Sequence, residues 1–392
     1  MKRFLIVLTI VFVVPFLVQA QDLVDALRYS NVQIQGTARA GGMGNAFGAL
    51  GGDFTSVSIN PAGIGLYRSG ELSITPVFRQ TKVDATYYGS TQNDNNYNFA
   101  FNNLSYVTTI NTKNPGEMGL INVNIGLGFN RLKDFNSEIF AKGDNVNGSF
   151  LDYITSYANA DGFDPNGNNN SYMSDYYERL AWNTDLLLYD QNNNEYWHDM
   201  QDAGYGQSQQ KNISKQGSID EYSLAVGLNF NYKLYIGGSI GITDLFYKEN
   251  SQIMEWDKNN NIPYFNDMQF DSYLRTTGTG YNVKLGVIFK PINEIRIGAS
   301  IHTPTFYNLH DAFDTKMNSS ITYADNSTQK YEASPNSISQ YDYDLVTPLR
   351  ATLSGAFIIE KKGLLSLDYE LVDYSSAKLR SRFSRASKSI DW

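Results

Sequence analysis

Three histidines and no cysteine set narrow limits on the chemistry open to this chain. His302 follows Ser300 by two positions on a stretch that alternates like a strand. That spacing shares a face but is poor for proton transfer, because a Ser–His pair is defined by hydrogen-bond geometry. No catalytic residues are therefore assigned, and no enzyme is expected. His302 and His310, with Tyr307 between them, could instead ligate haem iron. The simpler reading is two histidines at a loop edge, with no cofactor and no metal. Asp164-Pro165-Asn166-Gly167-Asn168 lacks the spacing of a calcium loop, and no glycine run ends in Gly-Lys-Ser/Thr to hold phosphate. The remaining candidates are cations on small-residue faces: Lys284 in mid-strand, and Arg79 and Arg350 nearer a rim. Each could pair with a ligand carboxylate headgroup. Each could equally be answered by Asp53, Glu71, Asp368 or Glu370.

The elements that would position these cations are strands with a uniform face rule. Ile121, Val123, Ile125, Leu127 and Phe129 alternate with Asn122, Asn124, Gly126 and Gly128. The same apolar-against-small pattern recurs at 222–230, 234–242, 281–289, 295–302, 349–359 and 365–371, and in weaker form from Glu71. Nine residues from Ile121 to Phe129 suit a tilted strand crossing a bilayer, which takes about 9–11. A soluble sandwich would carry more charge on its polar face. Short links at 112–117, 231–233, 291–294 and 360–363 alternate with long ones at 80–102, 143–216, 249–269 and 306–344. That alternation matches outer-membrane barrels. Alternation fails at Leu132, Lys133 and Asp134, which predicts a kink or bulge in the third strand.

Ahead of the strands lies Gly36–Arg68, with glycines at 36, 41, 42, 44, 48, 51, 52, 63 and 65. Glycine at this density suits backbone that turns sharply or approaches another surface closely. A compact hatch within the strands is expected over 21–69, opening with a short helix at Asp22–Tyr29 ahead of the glycine-rich run. Asn60 and Pro61 would fix a turn there by side-chain capping and a set φ.

Met1–Ala20 reads as a secretory signal: Lys2 and Arg3, an apolar run to Val18, then Val18-Gln19-Ala20. A net charge of −9 argues against nucleic acid, and 14% aromatic residues suit a barrel with aromatic girdles. The acidic, Asn-rich stretch 161–170 names no ligand.

Gly41-Gly42-Met43-Gly44-Asn45-Ala46-Phe47, then Asn60-Pro61-Ala62-Gly63, then strands, resembles the FadL-type outer-membrane transporters of long-chain fatty acids and other hydrophobic compounds, toluene transporters included. The resemblance implies an all-β transmembrane antiparallel barrel with a glycine-rich hatch in its lumen. It implies hatch or gate roles for Gly44, Phe47, Asn60, Pro61, Ala62 and Gly63, and a wall-opening kink at Leu132–Asp134. The implied activity is passive uptake of fatty acids or aromatics, in the outer membrane of a Gram-negative bacterium, by a monomer in contact with outer-membrane lipid. Nine strands are counted over 70–374 against the family's fourteen, so the chain is expected to be an incomplete barrel ending in a non-strand tail at 375–392. A surface receptor or adhesin with a plugged lumen, a haem-uptake variant and a water-filled porin are the alternatives; the hatch argues against the last.

Overall fold

The computed structural model describes residues 20–112, 119–161, 173–359 and 362–382. The signal segment before Ala20, the stretch Asp164–Asn168 and the last ten residues lie outside the described residues. The chain begins with α1 (Ala20–Ser30), then α2 (Ala38–Gly42) and two 3₁₀ turns, Phe54–Ser58 and Pro61–Leu66. Strands follow: β1 (Glu71–Tyr87), β2 (Ser90–Asn111), β3 (Leu120–Asp134) and β4 (Ser137–Gly143). A cap then holds α3 (Phe150–Asp161), α4 (Glu178–Asn183), the hairpin β5 (Leu188–Asp190) and β6 (Glu195–Trp197), and α5 (Asp199–Asp202). The rest is β7 (Ser208–Phe230), β8 (Leu234–Trp256), β9 (Phe265–Phe289), β10 (Ile295–His302), β11 (Phe306–Thr322) and β12 (Thr328–Ala333). β13 (Ser339–Val346), β14 (Arg350–Ile359), β15 (Gly363–Val372) and β16 (Lys378–Ser381) complete it.

Fourteen of these strands form one curled antiparallel sheet, ordered β1-β2-β3-β7-β8-β9-β10-β14-β15. β4 continues β3 against β7, β11 continues β10 against β9, and β13 continues β14. β16 likewise continues β15 by pairing with β13. The path therefore has nine positions. The sheet is not closed: β1 and β15 stand at opposite ends of the order, with no pairing between them among the described residues.

Period-two alternation runs through most of the sheet. Leu127, Leu224, Ile240, Leu285, Ile297, Leu353 and Leu367 are exposed on the outward face, while Asn124, Ala225, Ser239, Lys284, Ser300 and Ser354 are buried on the inward one. Tight turns close one end; in the three-residue link 231–233, Asn231 and Tyr232, both at φ 56°, are the left-handed pair of a turn closed by Lys233 N to Phe230 O at 3.0 Å.

Three expectations need correction. The stretch 80–102 is not a long loop: β1 and β2 pair continuously to Tyr87↔Ser90, turning at Tyr88-Gly89. From Gln80 to Asn96 the outward positions turn polar, with Gln80, Lys82, Asp84, Asn93 and Asn95, so the apolar outward period stops there although Tyr97, Phe99 and Phe101 resume it. Likewise 249–269 and 306–344 are largely strand, with β8 and β9 paired out to Trp256↔Asp267. The tail expected to be free of strand contains β16, where Leu379 packs inward and Lys378 and Arg380 point outward. Charge on the outward face hid its alternation.

Candidate functional site

The hatch is seated on the inward face. Its inner frame is local: the Thr37 hydroxyl donates to Asp53 Oδ2 at 2.7 Å, and Asp53 Oδ1 accepts from Thr55 N at 2.9 Å. Asn60 caps the second 3₁₀ turn, accepting from Ala62 N at 3.1 Å, with Pro61 at its first position, where no N–H is needed. The Asn60 amide also donates to Gly48 O at 2.7 Å and to Val287 O of the wall at 3.2 Å. Phe47, Asn60, Pro61, Ala62 and Gly63 are buried; Gly44 is exposed at φ 63° and makes a turn.

Wall groups reach back to the hatch backbone. Ser300 Oγ and His302 Nε2 both bond Ile59 O, at 2.7 and 2.8 Å. Asn122 and Asn124 donate to Tyr67 O, Asn130 donates to Phe54 O, and Gly48 N donates to Asp368 Oδ2 at 2.9 Å. The wall is glycine where the hatch touches it. A Cβ on Gly286 would stand 1.9 Å from Asn60 Oδ1, and one on Gly237 would stand 2.3 Å from Pro61 O. The small inward faces are thus a seat for the hatch. Phe54, Val57, Ile64 and Tyr67 close the contact against Val107 and Ala225.

The three candidate headgroup cations are brought onto the inward face, each answered by a carboxylate. Lys284 pairs with Glu221, which is fully buried and also accepts from Ser58 Oγ at 2.9 Å and Asn282 Nδ2 at 3.1 Å. Arg350 meets Glu370 at 3.0 Å and donates to Ser30 O. Arg79 meets Asp134 at 2.7 Å and donates to Gln35 Oε1 at the same distance. Lys284 and Arg350 line a cavity of about 50 Å³ above the hatch, closed over by α1, with Tyr29 bonded to Thr276 at 2.9 Å. That space holds a water or two, against about 300–1,000 Å³ for a ligand pocket.

The third-strand irregularity is a β-bulge at Leu132, between Arg131↔Asp220 and Lys133↔Ile219, followed by a break at Phe135-Asn136. Leu132 is buried against Tyr29, and Lys133 Nζ caps the end of α1 through Arg28 O at 2.8 Å and Asn31 O at 2.6 Å. Gln33 N and Gln35 N bond the carbonyls of Leu132 and Arg131, each at 2.8 Å. The irregular wall segment is where the hatch linker attaches.

Under the cap lies a larger cavity of about 770 Å³, lined by Tyr87, Tyr88, Phe150, Tyr153, Tyr177 and Phe270 with Lys211 and Glu249. His302 is inward, whereas His310 is outward, bonded to Asp342 at 2.8 Å, so the two do not converge on one iron. Sequence reasoning missed Glu221, the packing of α1 over the small cavity, and this cap cavity. Glu221 was readable as an inward acid beside outward Tyr222, but its partner only through strand register. No family model, curated protein or solved structure matches the chain.

Proposed function

We propose that this protein carries hydrophobic compounds, such as long-chain fatty acids, passively across the outer membrane. The observation that carries the reading is the hatch bonded onto a glycine seat inside a sheet with an apolar outward face. A solute would be captured in the aromatic cap cavity, where each buried CH₂ is worth about 0.8 kcal/mol. It would pass toward the hatch as α1 yields, since the 50 Å³ beneath α1 admits no acyl chain. Lys284 and Arg350 would meet a carboxylate headgroup only by exchanging Glu221 and Glu370 for it. Gly44, Phe47 and Asn60–Gly63 would form the gate, and the bulge at Leu132–Asp134 the flexible wall beside it.

A second reading, a surface receptor or adhesin with a plugged lumen, is favoured by that small cavity and by the folded cap, whose buried side chains form one cluster from Leu151 to Met200. Vesicles containing the full chain separate the two. A transporter speeds entry of fluorescent oleate above the rate of protein-free vesicles and excludes sugars; a receptor does neither.

A further inference from the structure

Two adjacent strands of the sheet are interrupted at one level, which splits the ladder between them. The β10–β14 pairing ends at His302↔Arg350, and the β11–β13 pairing begins at Phe306↔Val346. Between them lie Thr303-Pro304-Thr305 and Thr347-Pro348-Leu349. Proline has no N–H to give a ladder, so each interruption is written into the sequence. The next strand breaks at the same level, between β15 and β16. Thr305 N donates to Thr347 Oγ1 at 2.8 Å, and Thr347 N donates to Thr305 O at 3.0 Å.

Cavities lie on both sides of this breach. The 50 Å³ lumen cavity is walled by Thr303, Thr305, Tyr307, Thr347 and Pro348. On the outward face a cavity of about 660 Å³ is lined by Tyr281, Phe306 and Leu349, and by Lys378 and Arg380. Tyr307 and Thr347 border both spaces, so a layer one side chain thick separates them. Asp344 also borders the outer space, but it is paired with Arg382 at 2.6 Å. Lys378 and Arg380 have no ion-pair partner among the described residues.

We propose that the breach at Pro304 and Pro348 is a lateral portal between lumen and outward face, taking an amphipathic monoanion of the fatty-acid class. Its tail lies along Tyr281, Phe306 and Leu349, and its carboxylate on Lys378 and Arg380. Tyr307 and Thr347 are the door. The portal rests on the transport reading above and is separate from the bulge at Leu132.

The chain has no cysteine, so a Thr305→Cys/Thr347→Cys pair can staple the breach cleanly. Full-length protein in phosphatidylcholine vesicles is assayed for fluorescent oleate uptake in excess of that by protein-free vesicles. Uptake falling about tenfold on oxidation and returning with reductant supports the portal. Unchanged uptake with the disulfide verified by mass overturns the portal and leaves transport standing. Absence of uptake by the unmodified chain overturns the transport reading, and the portal with it. Should the stapled variant not fold, diazirine-labelled oleate is photolysed with the native chain. Adducts on Tyr281, Phe306 or Thr347 support the proposal; adducts confined to 131–134 overturn it. Lys378→Gln/Arg380→Gln should cut oleate labelling several-fold while leaving a labelled fatty alcohol unchanged.

Discussion

Gly286 lies directly beneath Asn60: a Cβ on the glycine would stand 1.9 Å from the amide oxygen that caps the hatch turn. Backbone of the wall and side chain of the hatch occupy adjoining volumes with no space for a methyl group. Gly286→Ala should therefore lift the turn and destabilise the hatch by about 1–3 kcal/mol, the usual range for overpacking. Hydrogen exchange at Ala62 and Gly63 checks this, with faster exchange as the expected outcome.

Glu221 and Lys284 form a second anchor through Ser58. Removing one member leaves a buried charge alone, which costs about 3–5 kcal/mol. Lys284→Met should thus lower the unfolding midpoint strongly. Glu221→Gln/Lys284→Met should recover most of the loss. Equal losses in the single and double variants would show that the pair does not act as a unit.

The cap should respond to pH through two neighbours with opposite signs. Burial holds His198 below its ordinary value, against the opposing pull of Asp152, which its Nε2 meets at 2.9 Å. The unfolded chain then binds the proton first, so this term loses stability as pH falls below about 6.5. Asp199 is pushed up to about 6 by burial, with Asp202 and Asp185 adding repulsion. Here the folded chain binds the proton first, so stability is gained as pH falls through about 6. In Asp199→Asn, protection of the cap amides should fall on acidification; in His198→Gln it should rise. Exchange rates of the α3 and α5 amides between pH 7 and pH 4 provide the check.

Tyr153 faces the cap cavity beside Phe150, 6.2 Å between stacked rings, and stays 46% exposed. Such ring contacts contribute about 0.5–1.5 kcal/mol beyond area. Tyr153→Ala should weaken binding of a fluorescent fatty acid by up to about tenfold, measured by titration, and lower the unfolding midpoint modestly, because the ring contacts to Phe150, Tyr157 and Tyr177 are lost with it.

Much of the fold was legible because the outward face is regularly apolar and most inward side chains beside the hatch are small or amide, leaving clean alternation from Ile121 to Phe129 and again at 281–289. The bulge at Leu132 was legible as lost alternation. The upper halves of β1 and β2 were not, because Lys82, Asp84 and Asn95 stand where neither face needs to be apolar. Lys284, Arg79 and Arg350 were found as inward cations, but their partners depended on register: Glu221 is 63 residues from Lys284. The breach was present as Pro304 and Pro348, yet their shared level emerges only when β10 pairs with β14.

The account depends most on the hatch lying inside the sheet, and position 48 reports on it directly. A Cβ there would stand 2.9 Å from Cβ of Ser354, close enough for a disulfide after a small shift. Gly48→Cys/Ser354→Cys, in membrane vesicles of an otherwise cysteine-free chain, should cross-link nearly completely on mild oxidation. Two free thiols, both reacting with a membrane-impermeant maleimide, would contradict it.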